Sequence, residues 1–253
     1  MISISYAQLS AVYGAVFWPL IRVLALFASA PIFSHNALSL RVKIALALSI
    51  SLVLSQQVAS PPIDGVLSAA GILVLGRDIM VGLVLGFTVR LVFAAIELAG
   101  ELIGLQIGFS FGGFFNPTSN QAQTPISTFL SLLATLIFLS IDGHLQLLQA
   151  LADSFRVFPI AAEGTPLGPE QVARLGSQMF ALALSIALPF ISVALLISVL
   201  LGILARVAPQ LNLFAIGFPL TLGAGLGVLF LFLPYLEAPL RVALENGVGF
   251  WLR

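Results

Sequence analysis

Ten basic and ten acidic side chains are all the formal charge that 253 residues carry here. Charged residues make up 8% of the chain and hydrophobic ones 60%, whereas a soluble domain carries about 25% charge. Mean hydropathy is +1.14. Such a chain cannot cover its own surface with groups that water solvates, so its solvent is lipid. It reads as an all-α, polytopic integral membrane protein, because a bilayer accepts only chains whose backbone groups bond internally.

The same composition excludes much. A net charge of zero leaves no basic face for nucleic acid. There is no cysteine, hence no disulfide, thiolate nucleophile or Cys-based metal site. His35 and His144 stand in no ligand-spaced motif, and no HExxH, P-loop or GxSxG occurs. The chain is therefore expected to be no enzyme and to hold no cofactor and no metal. Asp142-Gly143-His144 is expected to cap and turn rather than to catalyse. Ala28-Ser29-Ala30 resembles a signal-peptidase site, but residues 1–13 hold no Lys or Arg and Arg22 interrupts the apolar run. The run is read as a retained span.

A membrane helix needs about 20 mostly apolar residues. Six segments meet or approach this, at 6–33, 38–58, 66–104, 126–141, 176–205 and 207–236, within one integral membrane domain over 1–253. Pro19, Pro189 and Pro219 lie inside spans, where each removes a backbone donor and favours a kink. Leu148, Leu151, Phe155 and Phe158 fall on one helical face, and Gln146, Gln149, Asp153 and Arg156 on the other. That pattern predicts an amphipathic helix lying at a membrane interface. Arg41, Lys43 and Arg206 place their two loops in the cytoplasm by the positive-inside rule, with an external N-terminus.

Three constellations stand out. On a helix, Arg90, Glu97 and Glu101 fall within a stripe about 40° wide at 100° per residue. Each costs roughly 2.5–3.5 kcal/mol at the bilayer centre, so the stripe faces protein or water. It is either a polar path or subunit contact, or a buried ion-pair network that fixes packing. Arg77 and Asp78 fall elsewhere on the helix and are expected to pair with neighbours. Glycines recur four apart at Gly82/Gly86, Gly223/Gly227, and along Gly100, Gly104, Gly108 and Gly112, a spacing that lets helix backbones approach closely in lipid. The last ladder runs into an uncharged loop of Gly108, Phe109, Ser110, Phe111, Gly112, Gly113, Phe114, Phe115, Asn116 and Pro117. Irregular backbone at membrane depth survives only when buried in protein or lining a cavity. This loop is either an apolar plug or a re-entrant segment that merely packs.

Ala205-Arg206-Val207-Ala208-Pro209-Gln210-Leu211-Asn212-Leu213-Phe214, followed by Gly217-Phe218-Pro219-Leu220, resembles the signature of the FliR family of type III export-gate proteins. Gly100-Glu101, Gln106-Ile107-Gly108-Phe109-Ser110, Asn116-Pro117, Gln123, Asp142-Gly143-His144, Ser154-Phe155 and Pro159 follow the same family's pattern in order. The family usually has Asp where this chain has Asn116. The resemblance implies kinked helical hairpins, with a FliP-like part followed by a FliQ-like hairpin and a plug loop over residues 108–120. It implies a gate formed with FliP and FliQ, near FlhB and FlhA, that passes unfolded flagellar subunits across the bacterial inner membrane. It also implies a place in the flagellar basal body, lifted towards the periplasm, with energy from the proton motive force and a separate ATPase. Arg206, Pro209, Gln210, Asn212 and Phe214 are the implied contact with FlhB. The virulence-type homologue, SctT, shares the architecture. A secondary transporter with broken helices is a third reading, disfavoured by the lack of an internal repeat.

Overall fold

Long uncharged apolar runs make helices, and the computed structural model of the chain is helical in every regular element among the described residues, which are 6–34, 38–56, 68–108, 123–160, 168–208, 210 and 213–249. In chain order these are α1 (Tyr6–Ser29), the single turn α2 (Pro31–Ser34), α3 (Leu40–Leu54), α4 (Ala69–Ile107), α5 (Pro125–Ser140), α6 (Gly143–Val157), α7 (Pro169–Val207), α8 (Leu213–Phe232), a 3-10 turn (Leu233–Tyr235) and α9 (Glu237–Gly249). Three helical stretches, Ala69–Ile107, Glu170–Val207 and Ile216–Tyr235, are each long and apolar enough to cross a bilayer. Counting α5 and α6 together adds a fourth. The protein is thus an all-α membrane protein. The 39 residues of α4 and of α7 extend about 58 Å each at 1.5 Å per residue, well beyond a hydrocarbon core of about 30 Å. About half of either helix suffices to span such a core.

The described chain forms two compact units. The first comprises residues 1–91, 142–175 and 245–253. Its core is the face of α1 that carries Trp18, Val23, Leu26 and Phe27, with Val81, Leu85 and Val89 of α4 and Leu147, Leu151 and Phe155 of α6. α1 also packs along α3, which buries Ala47, Ser51 and Leu54 and leaves Leu40, Leu52 and Val53 outside. The second unit comprises residues 92–141 and 176–244. Ile96, Ala99 and Ile103 of α4, Ile126, Leu130 and Phe138 of α5 and Ile186 and Phe190 of α7 are buried in it. Edge-to-face ring pairs link Phe93 to Phe138 and Phe190 to Phe232, the geometry that the ring quadrupole favours. Only 11% of the Ile216–Tyr235 window is buried, so α8 offers most of its apolar surface outward.

The amphipathic helix forms at Gly143–Val157 with a different partner from the one its pattern suggests. Its apolar face, with Leu147, Leu151 and Phe155, is buried in protein rather than left to lie on a membrane interface. The turn before it also differs from expectation. Asp142 takes the left-handed conformation (φ 55°, ψ 31°) and its side chain makes no capping bond. Its carbonyl instead accepts from the N–H groups of Leu145 and Gln146. A β-carbon in this conformation costs about 1 kcal/mol, which Asp lessens and Gly avoids. Asp142→Ala is therefore expected to lower stability in detergent by about 1 kcal/mol, while Asp142→Gly leaves it unchanged or raises it. Thermal unfolding of the two variants checks the order.

Candidate functional site

Two polar constructions interrupt the apolar interior. The first lies in the first unit and centres on Arg22, 1% exposed in the middle of α1. A charge there would be prohibitive unless paired, and the fold surrounds it. Arg22 Nη2 forms an ion pair with Asp78 Oδ1 of α4 and donates to the Phe158 carbonyl at 3.0 Å, just beyond α6. Arg22 Nη1 donates to Ser154 Oγ at 3.2 Å, and the Ser154 hydroxyl in turn donates to the Leu151 carbonyl at 2.6 Å. The guanidinium also lies 4.0 Å over the Phe155 ring, a cation–π contact. One side chain thereby fastens three helices. Asp78 finds its partner on α1 rather than in the adjacent Arg77, because neighbouring residues on a helix point apart.

α1 and α4 can come this close because of glycine. A β-carbon on Gly82 would meet the Arg22 carbonyl and lie 2.7 Å from Ala25 Cβ, and one on Gly86 would lie 2.7 Å from the Ala30 nitrogen. That pair serves contact within the chain. A β-carbon on Gly223 or Gly227 would meet no neighbouring helix within 4 Å among the described residues.

The second construction is the root of the connection between α4 and α5. α4 ends at Gly108, whose N–H bonds to both the Gly104 and the Leu105 carbonyls at 3.2 Å and whose own positive φ of 93° is that of a glycine stop to a helix. α5 begins at Thr124, with Pro125 at its first position. Thr124 Oγ1 accepts from the Ser127 N–H at 3.2 Å. Glu101 Oε1 accepts from the Thr124 N–H at 2.8 Å. Ser127 Oγ donates to the Glu97 carbonyl at 3.0 Å, and Thr124 Oγ1 lies 3.3 Å from the Gly100 carbonyl. Gly100 and Gly104 face Ser127 and Thr124 with no room for a β-carbon.

The residues that the sequence singles out fall as follows. Arg90 is exposed, while Glu97 and Glu101 are half-buried. The ion pairs between described residues include none among these three. Of the loop, Gly108 is buried; Phe109, Ser110, Phe111, Gly112, Gly113, Phe114, Phe115, Asn116 and Pro117 lie outside the described residues. So do Pro209 and Asn212. Arg206 is exposed in the last turn of α7, where a cation complements the helix dipole, and Gln210 is exposed in the turn after it. Phe214 falls in the first turn of α8. Sequence reading expected Asp78 to pair but named neither its partner Arg22 nor the cap at Thr124. Arg22 is the one charge in its apolar run, a legible sign that it pairs within the protein, and Thr-Pro before an apolar run was a legible cap.

A helical membrane protein with buried polar fasteners between its helices is the class that this architecture defines. Residues 13–247 match the family described as bacterial export proteins, family 1, and the chain belongs to that family, on its flagellar FliR branch. The flagellar biosynthetic protein FliR of Pectobacterium carotovorum subsp. carotovorum is 43% identical over 86% of this chain and 84% of its own length. The FliR of Escherichia coli (strain K12) is 37% identical over 92% of this chain and 90% of its own. The FliR of Bacillus subtilis (strain 168) is 26% identical over 79% and 78%.

Proposed function

We propose that this chain is a core subunit of the flagellar type III protein export gate, forming with FliP and FliQ a channel that passes unfolded flagellar subunits across the inner membrane. Family membership supports the coarser part of this reading, a membrane component of flagellar export rather than an enzyme. The relatives' flagellar names favour the flagellar branch over the injectisome one. Helices longer than the bilayer are compatible with protrusion towards the periplasm in the basal body, and the exposed Arg206 and Gln210 would be open to FlhB, with FlhA in the same apparatus.

One observation carries the channel reading. Fourteen residues, 109–122, connect helix ends that are already fastened to each other through Glu101 and Thr124. Joining adjacent antiparallel helices takes two to five residues. The connection is longer than the join alone needs, and it is rich in Phe and Gly with no charge among residues 109–122. Apolar side chains closing a narrow passage against ions, and yielding to a passing polypeptide, fit that composition. The mechanism is physical: exclusion of water and ions by Phe rings on a backbone that Gly lets fold aside. Removing residues 109–115 is expected to raise ion conductance across membranes that hold the assembled gate. Unchanged conductance in a gate that still assembles would remove the plug reading.

A further inference from the structure

From Leu73 to Arg90 the exposed residues of α4 are Leu73, Gly76, Met80, Leu83, Phe87 and Arg90, and every other residue of that stretch is buried or half-buried. The six recur at alternating steps of three and four residues, one narrow stripe along the helix. That alternation is the seam of a left-handed helix pair, where the side chains of one helix fit the gaps of the other. A β-carbon on Gly76 would meet nothing within 4 Å among the described residues, which leaves room on the stripe for a close approach. The stripe is apolar until Arg90, the one charge in residues 79–96. Arg90 makes no hydrogen bond or ion pair among the described residues. Glu97, the acid on the same side of α4, stands about 10 Å further along the axis, beyond the three- or four-residue separation at which helical side chains meet. We propose that this stripe is the docking face for a membrane helix of another subunit, which brings an Asp or Glu carboxylate against Arg90.

Charge and polarity decide between the possible occupants. Hydrocarbon would suit Leu73 to Phe87 but strand the guanidinium, and a charge inside a span faces protein, water or another charge. A water-filled path would suit Arg90 but wet Leu83 and Phe87, 36% and 38% exposed, in the two turns before it. Two copies of this chain inserted in the same direction and paired symmetrically on the stripe would set Arg90 against Arg90, and like charges repel. A different helix with a carboxylate at the matching depth meets both demands. Its apolar residues cover the seam, and its acid forms charge-assisted hydrogen bonds with a guanidinium, whose planar fork fits a carboxylate at two points. The docking role rests on the reading of the chain as one subunit of a gate formed with FliP and FliQ, and gives that reading a face and a charge.

The test uses the full chain expressed with FliP and FliQ, beside the same chain alone. Complex is quantified by native mass spectrometry, and the chain alone is unfolded by heat in detergent. The chain has no cysteine, so Phe87→Cys carries a single nitroxide label, whose contact with lipid-soluble oxygen and with a water-soluble nickel chelate is read by electron paramagnetic resonance. Assembly is expected to cut both contacts severalfold. Arg90→Glu is expected to leave unfolding of the chain alone unchanged and to weaken the complex on the order of a hundredfold, because it sets two buried acids together. Arg90→Lys keeps the charge and is expected to retain most of the complex. Lys in place of one acidic residue in a membrane helix of FliP or FliQ is expected to restore assembly with Arg90→Glu, and a loss that no such exchange restores overturns the carboxylate. If Arg90→Glu assembles like the parent, or the label keeps its oxygen contact in the complex, the docking face is overturned and the gate reading stands. Nickel contact kept in the complex means a water-filled path and overturns it equally. If the parent itself forms no complex with FliP and FliQ, the gate reading fails and the docking face falls with it. Should the label block assembly while unlabelled Phe87→Cys assembles, the face is occupied in the complex, which supports the proposal. Should Arg90→Glu unfold alone, Arg90→Gln replaces it, with the same loss of complex expected and parental assembly again overturning the proposal.

Discussion

Arg22→Met is expected to destabilise the first unit by about 3–5 kcal/mol, the cost of leaving one partner of a buried ion pair behind. The substitution keeps an apolar stem but strands the Asp78 carboxylate, which is 2% exposed and whose Oδ2 has no hydrogen-bond partner among the described residues even in the intact pair. It also abandons the Phe158 carbonyl and the Phe155 ring, so α1 lets go of α4 and α6 together. Asp78→Asn is expected to cost less, because an amide oxygen still accepts from Arg22, which keeps Ser154 and Phe158. The double replacement Arg22→Met with Asp78→Leu is expected to recover much of the loss, since two apolar side chains need no pairing. The order is read from denaturant or thermal unfolding in detergent, with accumulation in the membrane as a second measure. Equal stability of Arg22→Met and the parent, or a double variant worse than both singles, would contradict the account.

That pair also marks where sequence reading stops. The class of the protein was legible because scarcity of charge is a property of the whole chain and needs no knowledge of contacts. The helix at Gly143–Val157 was legible because its two faces differ every 3.6 residues. What that face packs against was not legible. The hydrogen bond from Arg22 to Ser154 joins residues 132 apart in the chain, and the ion pair to Asp78 joins residues 56 apart. Local pattern carries no information on such distances. The stripe of Arg90, Glu97 and Glu101 illustrates the same limit. Helical geometry placed the three on one side of α4, but only the fold shows that Glu101 is used by α5 while Arg90 faces outward. Glycine spacing was equally legible, and equally silent on which pairs are filled.

The filled and unfilled glycines separate sharply under alanine substitution, and Gly100→Ala is the extreme case. A β-carbon there would run into Ser127 Cα and stand 2.9 Å from the Ser127 nitrogen. These are backbone atoms, so no rotamer change makes room, and α4 and α5 must move apart. Overpacking alone costs about 1–3 kcal/mol. The separation also lengthens the bonds from Thr124 to Glu101 and from Ser127 to the Glu97 carbonyl, 2.8 and 3.0 Å in the native chain. Each contributes on the order of 1 kcal/mol or more. A total loss of about 3–5 kcal/mol is therefore expected from one methyl group, along with faster exchange at the N-terminus of α5. Gly82→Ala is expected to behave alike in the first unit, because the obstacle is again backbone, the Arg22 carbonyl. In contrast, the β-carbons of Gly223→Ala and Gly227→Ala meet nothing within 4 Å among the described residues and trade glycine for a better helix former, worth up to about 1 kcal/mol in a helix interior. In the isolated chain they are expected to be neutral or stabilising. Unfolding of the four variants side by side decides the matter: a Gly100→Ala chain as stable as Gly223→Ala would mean that α4 and α5 do not approach as closely as their glycines allow.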